Sequence, residues 1–199
     1  NKNLKVLLLD RGKFANHRVC PMNKFGTKCK NCNPCGILSG YGGAGTFSDG
    51  KLNFVAKLGK SDLYKYMNET DAENLLNDTE NIFNKFGMNS DVYPSNMDEA
   101  LKIKKNIAKH GAKLLIIKQK HLGSDKLPSY IIDFTNYLKD NSVELLENIN
   151  VTDIKEEKNN LLVIGEIGNK EVTYKTKKVI VAPGRTGAKW VQEFSDKHK

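Results

Sequence analysis

The stretch from Ser39 to Asn53 constrains the fold more than any other part of this chain, because five glycines lie within the eleven positions from Gly40 to Gly50. Glycine adopts positive φ and lets the backbone come close to a ligand, at an entropic cost. Hydroxyls, a carboxylate and a cation accompany the glycines, on Thr46, Ser48, Asp49 and Lys51. We predict a loop wrapped around a phosphate or a polar ring system. The alternative is a flexible linker, which the interleaved Tyr, Phe and Leu side chains disfavour.

Composition limits the class of protein. A length of 199 residues, with 39% apolar and 28% charged residues, is typical of one globular domain or one domain with an insertion. The net charge of +9 would suit a nucleic-acid-binding protein, but the lysines are spread along the chain and mixed with acids, so small anionic ligands or a solvated surface explain it as well. No apolar run reaches membrane-spanning length and the first residues do not form a signal peptide, so we expect a cytoplasmic protein without membrane contact.

The apolar run Leu4–Leu9 ends in Asp10 and is followed by Arg11. Such a run predicts a strand buried on both faces, as in a parallel sheet. A carboxylate at the carboxyl end of a parallel strand is placed to bind a ribose hydroxyl, although a core strand ending in a polar turn has the same pattern. A dinucleotide fold carries its glycine fingerprint about 20 residues before that acid. We therefore expect the first strand and its glycine turn to be absent here.

All four cysteines lie within sixteen residues, at Cys20, Cys29, Cys32 and Cys35. In a cytosolic chain this clustering indicates metal or redox chemistry rather than a structural disulfide. Four thiolates could hold zinc or an iron–sulfur cluster. Redox-active thiols and inert thiols are the two other interpretations, since standard zinc patterns use two separated pairs.

Apolar periodicity and turn residues predict the remaining elements. Helices are expected over 61–87, 97–110 and 129–139. The first would be capped by Ser61 and end at Gly87, and the second would be capped by Asn96 and end at Gly111. Strands are expected over 112–118, 143–146 and 178–182, with an antiparallel meander over 150–156, 161–167 and 171–175. The last strand opens into Pro183, Gly184 and Arg185, while the polar end from Phe194 is expected to fray.

The order of these parts resembles the glutathione-reductase-like class of FAD-binding flavoproteins. More narrowly, the run Gly42–Leu52 after clustered cysteines is similar to bacterial FAD-dependent dehydrogenases, as are the runs His121–Leu127 and Val181–Arg185. The resemblance implies an α/β fold: a partial FAD/NAD(P)-binding Rossmann-like domain with a three-stranded β-meander, formed by 1–53 and 128–199. Residues 54–127 would form an inserted, mostly helical α+β cap on the substrate side.

The resemblance also implies roles for individual residues. Asp10, with Arg11 beside it, would meet the adenosine ribose, a position where glutamate is commoner in the class. Val151 would contact the adenine through its backbone. The pyrophosphate and flavin would lie along the glycine loop, on Gly42, Gly43, Ala44, Gly45, Thr46, Ser48, Asp49 and Lys51. The strand end would pack beside the dinucleotide through Ala182, Pro183 and Gly184, with Arg185 near the phosphates.

The function implied is flavin-mediated hydride or electron transfer on an unknown small-molecule substrate, with NAD(P)H as a candidate second partner. No catalytic acid or base is indicated. Because the first glycine turn and the late flavin-site segment are not found, we expect a fragment that does not hold stoichiometric FAD by itself. The alternative is a cysteine-rich zinc or iron–sulfur interaction module without flavin chemistry.

Overall fold

The computed structural model describes residues 4–198. The chain divides by contacts into two compact units, Asn1–Phe47 with Ile131–Lys199 and Ser48–Tyr130. The described residues form five α-helices and ten strands in several small sheets, so the protein is of mixed α/β class. The sequence-based division places its boundaries at 53/54 and 127/128, whereas the boundaries by contacts lie at 47/48 and 130/131.

A parallel pair of strands lies in the first unit. Strand β1 (Val6–Leu9) pairs with β7 (Val143–Leu146) in parallel, with Val6 opposite Val143 and Leu9 opposite Leu146. Both predicted strands are confirmed. The expectation of burial on both faces of β1 is wrong for the described residues, because Val6 and Leu8 remain 41% and 37% exposed. Val6 and Leu8 alternate with Leu7 and Leu9, so they share one face of the strand, and that face is only partly covered.

The predicted meander is confirmed in the same unit. Strands β8 (Asn150–Glu157), β9 (Asn160–Ile167) and β10 (Lys170–Thr176) form an antiparallel sheet in the order β10–β9–β8. A bulge between Val151 and Asp153 shifts the register of β8. The buried residues of this sheet are Asp153, Val163 and Gly165.

The segment after the meander differs from the sequence-based expectation. Residues 178–182 form no strand, and Ile180 is 93% exposed. An apolar run becomes a strand only where a neighbouring strand accepts its backbone hydrogen bonds, and no described strand pairs with this run. The chain then forms α5 (Ala188–Lys197), so the predicted fraying from Phe194 is wrong up to Lys197, and Lys199 lies outside the described residues.

Two further helices contribute to the first unit. Helix α1 (Pro21–Phe25) is a single turn with no buried residue. Helix α4 (Leu127–Asp140) matches the helix predicted over 129–139, and the boundary between the two units falls inside it.

The second unit combines a small antiparallel sheet with two helices. The sheet has the order β2–β6–β5, and a separate hairpin pairs β3 with β4. The strands are β2 (Lys51–Asn53), β3 (Lys57–Leu58), β4 (Ser61–Asp62), β5 (Val92–Tyr93) and β6 (Gln119–His121). The helices are α2 (Glu69–Lys85) and α3 (Met97–Ala108). The buried apolar residues are Phe54, Ala56, Ala72, Met88, Leu127 and Tyr130.

Cap residues explain where these helices begin. The Asn96 side chain accepts a hydrogen bond from the Glu99 N–H at 3.1 Å, which confirms the predicted start of α3. Helix α2 starts at Glu69 rather than at the predicted position, because Asn68 caps it by accepting from the Asp71 N–H at 2.8 Å. Ser61 instead belongs to the β3–β4 hairpin.

The predicted strand over 112–118 is wrong, since pairing begins only at Gln119. The partner strands β2 and β5 have three and two residues, so they cannot pair with the longer apolar run. Among the described helices, none is both long and apolar enough to cross a membrane.

Candidate functional site

The carboxyl edge of the β1–β7 pair carries two acids, Asp10 after β1 and Glu147 after β7. Backbone pairing continues past both strand ends, because the Asp10 N–H donates to the Leu146 carbonyl at 3.1 Å and the Ile149 N–H donates to the Asp10 carbonyl at 2.9 Å. The carboxyl edge of a parallel sheet is where α/β folds bind ligands. Asp10 is therefore held rigidly at the position from which the sequence predicts ribose binding.

Asp10 lies in a partly buried turn. Its Oδ1 accepts the Gly12 N–H at 2.7 Å. Burial raises the pKa of Asp10 above its usual value, and hydrogen bonds from Gly12 and Gly40 with the charges of Arg18 and Arg11 offset this only in part. A partly desolvated carboxylate binds additional hydroxyl or N–H donors favourably.

Arg11 carries a polar atom without a partner. Its guanidinium donates to the Asn33 side chain through Nη2, while its Nε is buried and has no hydrogen-bond partner among the described residues. A buried unpaired donor is destabilising unless a ligand or water satisfies it. The structure thus leaves a free donor one residue from Asp10.

The glycine segment Ser39–Tyr41 lies directly against the turn after β1. A Cβ on Gly12 would lie 2.4 Å from the Gly40 nitrogen, so only glycine fits there. The Tyr41 N–H donates to the Lys13 carbonyl at 3.0 Å. The Tyr41 hydroxyl lies 3.1 Å from the Leu8 carbonyl and 3.0 Å from the Leu146 carbonyl, and so bridges β1 and β7. Burial, and then the charges of Asp10 and Glu147, raise the pKa of this hydroxyl.

Arg18 anchors the rest of the segment, and the sequence analysis did not single it out. It is buried; its Nε donates to the Gly36 carbonyl at 2.9 Å and its Nη2 to the Ile37 carbonyl at 2.5 Å. Its Nη1 donates to the Tyr41 carbonyl and to Thr46 Oγ1, both at 3.0 Å. Burial lowers the pKa of Arg18, against the nearby negative charges of Asp10 and Cys35.

One sequence signal could have identified Arg18. The chain has 32 basic residues, and only Arg11, Arg18 and Arg185 among them are arginines. A chain that uses lysine almost everywhere places arginine where a planar group with several donors is required. Arg18 fits this rule, since its guanidinium donates to four acceptors.

The later part of the glycine loop forms a 3₁₀ turn over Gly43–Phe47. Thr46 is buried under Arg18, while Gly42 and Gly45 are exposed and Gly43 and Ala44 are half-buried. The boundary between the two units falls after Phe47. Gly42 and Gly45 therefore lie on the surface of the first unit.

Ser48, Asp49 and Lys51 belong to the second unit. Asp49 and Lys51 pair with each other, with Lys51 Nζ 2.9 Å from Asp49 Oδ2, and the hydrogen bond from Lys51 lowers the pKa of Asp49. Both side chains are exposed, so this pair adds little to stability. Ser48 Oγ accepts the Gly50 N–H at 3.2 Å and shapes the turn.

The downstream candidates lie in the first unit. The Ser39 and Thr186 hydroxyls are 3.3 Å apart, which brings the segment after β10 next to the glycine segment. Ala182, Pro183, Gly184 and Arg185 are exposed there. Val151 is half-buried at the β8 bulge.

The four cysteines are free thiols. Cys20 and Cys35 are half-buried, whereas Cys29 and Cys32 are exposed. Among residues 4–198, no three His, Cys, Asp or Glu side chains are close enough together to hold a metal ion. Binding of one metal by all four thiolates would require the exposed segment between Cys20 and Cys35 to rearrange.

No protein-family model matches the chain, and a search of curated proteins returns none that is significantly similar. At the end of the parallel strand β1, the described residues place a carboxylate, Asp10, and an unpaired guanidinium N–H, Arg11 Nε, beside a glycine-rich loop. Such a group of donors and acceptors suits a ligand that carries both hydroxyls and negative charge.

Proposed function

We propose that this chain supplies the adenosine side of an FAD site in a flavin-dependent oxidoreductase of partial Rossmann-like architecture. The observation that carries the proposal is the Asp10 carboxylate at the carboxyl end of β1, where β7 runs parallel to it. Acids at this position of parallel α/β sheets accept hydrogen bonds from ribose hydroxyls. When bound, FAD would supply the hydride or electron chemistry.

The residues present fit the ribose and phosphate groups of such a cofactor. Asp10 would accept from a ribose hydroxyl, and Arg11 Nε would gain the partner that it lacks in the described residues. Gly42 and Gly45 are exposed residues of the glycine loop, and this loop would lie along the pyrophosphate. Arg185 is exposed on the same unit and would add positive charge.

The net charge of +9 supports an anionic ligand of this kind. Nucleic acid fits less well, because the lysines are spread along the chain and mixed with acids rather than gathered into one basic stripe.

Titration with FAD tests the proposal. The purified chain is expected to carry less than stoichiometric flavin, and to bind added FAD saturably when flavin fluorescence anisotropy is followed. Asp10→Asn should weaken binding about 10- to 100-fold, because a charge-assisted hydrogen bond contributes about 1.5–3 kcal/mol. Asp10→Glu keeps the carboxylate and should restore most of the affinity.

Asp133→Asn is the matched control, since Asp133 is an exposed acid on α4 in the same unit. It should leave FAD affinity unchanged. Failure to saturate at millimolar FAD, or equal losses in Asp10→Asn and Asp133→Asn, would contradict the proposal. Metal analysis of the same preparations addresses the alternative, a cysteine-rich interaction module, which predicts bound metal and no response to FAD.

A further inference from the structure

Helix α2 carries an exposed strip of acidic and apolar side chains. Its members recur at intervals of four, three and four residues and therefore share one face of the helix. This acidic strip consists of Asp71, Leu75, Asp78 and Ile82. Leu75 and Ile82 are 46% and 50% exposed. Among the described residues, the Asp78 carboxylate has no hydrogen-bond or ion-pair partner, so the strip lies open on the surface of the second unit.

Helix α3 carries an exposed strip with the same spacing and the opposite charge. This basic strip consists of Met97, Leu101, Lys104 and Ala108. Met97 and Leu101 are 50% and 47% exposed, and α3 has no buried residue. Within the part of the chain that the structure describes, the Lys104 ammonium has no ion-pair partner. A groove of about 600 Å³ borders this strip and is lined by residues of α3 alone, so α3 presents an open face that is both apolar and basic.

The two strips match each other position by position. If α2 and α3 run parallel, the shared spacing places Leu75 opposite Leu101. Asp78 then lies opposite Lys104, and the apolar residues at the carboxyl ends of the strips also face each other. Such a pairing removes apolar surface from water and sets opposite charges beside it. Both strips are exposed in the single chain, so they do not cover each other within one molecule.

We propose that two copies of this chain associate through these strips, with the acidic strip of each copy against the basic strip of the other. A twofold arrangement makes the contact twice and leaves neither strip open. Helix α2 holds five acids and one lysine, whereas residues 100–109 hold four lysines and no acid. In a chain of net charge +9, which otherwise repels its own copies, α2 therefore supplies the local attraction that a second copy needs.

This inference goes beyond the flavin proposal and does not depend on it. Both strips belong to the second unit, whereas Asp10 and the turn that follows it belong to the first. Loss of FAD binding would therefore leave the inference untouched, and a monomeric chain would leave the flavin proposal untouched.

Sedimentation velocity and charge reversal test the pairing. The unmodified chain should show a monomer–dimer equilibrium, with a dimer fraction that falls as salt is raised, because exposed charges are screened. Asp78→Lys and Lys104→Glu should each raise the dissociation constant about tenfold or more, since both contacts of the dimer then oppose like charges. A chain that stays monomeric up to about 1 mM at low salt would overturn the proposal.

A mixture of the two variants distinguishes contact between molecules from an effect within one molecule. In a dimer with one copy of each variant, the two reversed charges face each other and the unmodified Asp78 faces the unmodified Lys104. The mixture should therefore regain the dimer, as should a chain that carries both substitutions. A mixture that stays monomeric would overturn the proposal, even if the doubly substituted chain dimerises.

Charge reversals elsewhere on the same helices are the matched controls. Glu73 and Lys109 are exposed, and each lies five residues from the strip residue of the same charge, about 140° around the helix. Glu73→Lys and Lys109→Glu make the same changes in net charge and should leave the dissociation constant within about twofold. Losses equal to those in Asp78→Lys and Lys104→Glu would show that net charge controls association and would overturn the proposal. Unchanged circular dichroism verifies that the variants fold.

The apolar part of the contact has its own pair of variants. Leu101→Ser should weaken the dimer at low and high salt alike, because apolar burial is not screened. Ile103→Ser is the control, since Ile103 is also 50% exposed but lies about 160° around α3 from Leu101. Equal effects of the two variants would contradict the assigned face.

An anionic lipid surface is the competing occupant of the basic strip. Flotation with phosphatidylglycerol vesicles should recover little of the unmodified chain, and Lys104→Glu should not change that amount. Vesicle binding that Lys104→Glu abolishes, in a chain that forms no dimer, would overturn the proposal and assign the strip to lipid.

Discussion

Arg18 donates to four acceptors between Gly36 and Thr46, and its replacement tests how far this stretch depends on one side chain. Arg18→Lys keeps the charge but loses the planar set of donors, and so leaves buried carbonyls unsatisfied. We expect it to lower the free energy of unfolding by about 3 kcal/mol. Urea denaturation followed by Trp190 fluorescence measures this. Arg185→Lys, at an exposed position, should change stability by less than about 0.5 kcal/mol.

Substitution of phenylalanine for either of two buried tyrosines is expected to change stability in opposite directions. The Tyr41 hydroxyl bridges β1 and β7, so Tyr41→Phe should destabilise the protein by about 1–2 kcal/mol. The Tyr130 hydroxyl is buried without a hydrogen-bond partner among the described residues, so Tyr130→Phe should be neutral or stabilising. Urea denaturation followed by circular dichroism compares them. A larger loss in Tyr130→Phe than in Tyr41→Phe would contradict both hydrogen-bond assignments.

At the scale of elements, two alanine substitutions test the backbone conformation of the glycine loop and the space around it. Gly42 has φ +84°, and a Cβ there would lie 2.2 Å from Thr46 Oγ1 and 2.8 Å from Ile131 Cγ1. Gly42→Ala should therefore cost about 2–4 kcal/mol through backbone strain and steric overlap. Gly45 has an ordinary φ and open space around its Cβ position, so Gly45→Ala should be neutral or slightly stabilising. Similar thermal denaturation midpoints for the two variants would contradict this loop geometry.

The sequence was most informative where local chemistry decides the element. Asn96 caps α3 through a contact three residues away, and the meander depends on alternating side chains and turn residues close in sequence. The strands predicted from sequence over 112–118 and 178–182 are wrong, because an apolar run does not specify whether a partner strand of matching length exists. Arg18 could not be derived in the same way, since its acceptors become neighbours only after the chain folds.

At the scale of the whole chain, Asp153 joins the meander to the C-terminal helix and makes the free energy of unfolding depend on pH in the acid range. Lys197 Nζ lies 2.6 Å from one carboxylate oxygen of Asp153, and His198 Nε2 lies 2.8 Å from the other. Asp153 is buried, and these hydrogen bonds, that of Lys197 first, lower its pKa from 3.8 to about 2. The stabilisation is therefore complete above pH 3.8 and is lost as the pH falls towards 2, since the unfolded chain takes up the proton first.

Trp190 stacks on Phe194 within α5, so its fluorescence reports this acid transition. We expect unfolding free energies measured in urea to fall more steeply between pH 4 and pH 2 in the unmodified chain than in Asp153→Asn, whose amide does not titrate. Asp133→Asn should keep the steep dependence, because that acid is exposed on α4. An equally steep loss in Asp153→Asn would show that other carboxylates control acid stability. A flat profile in the unmodified chain would show that α5 is held to the meander by its apolar contacts rather than by this ion pair.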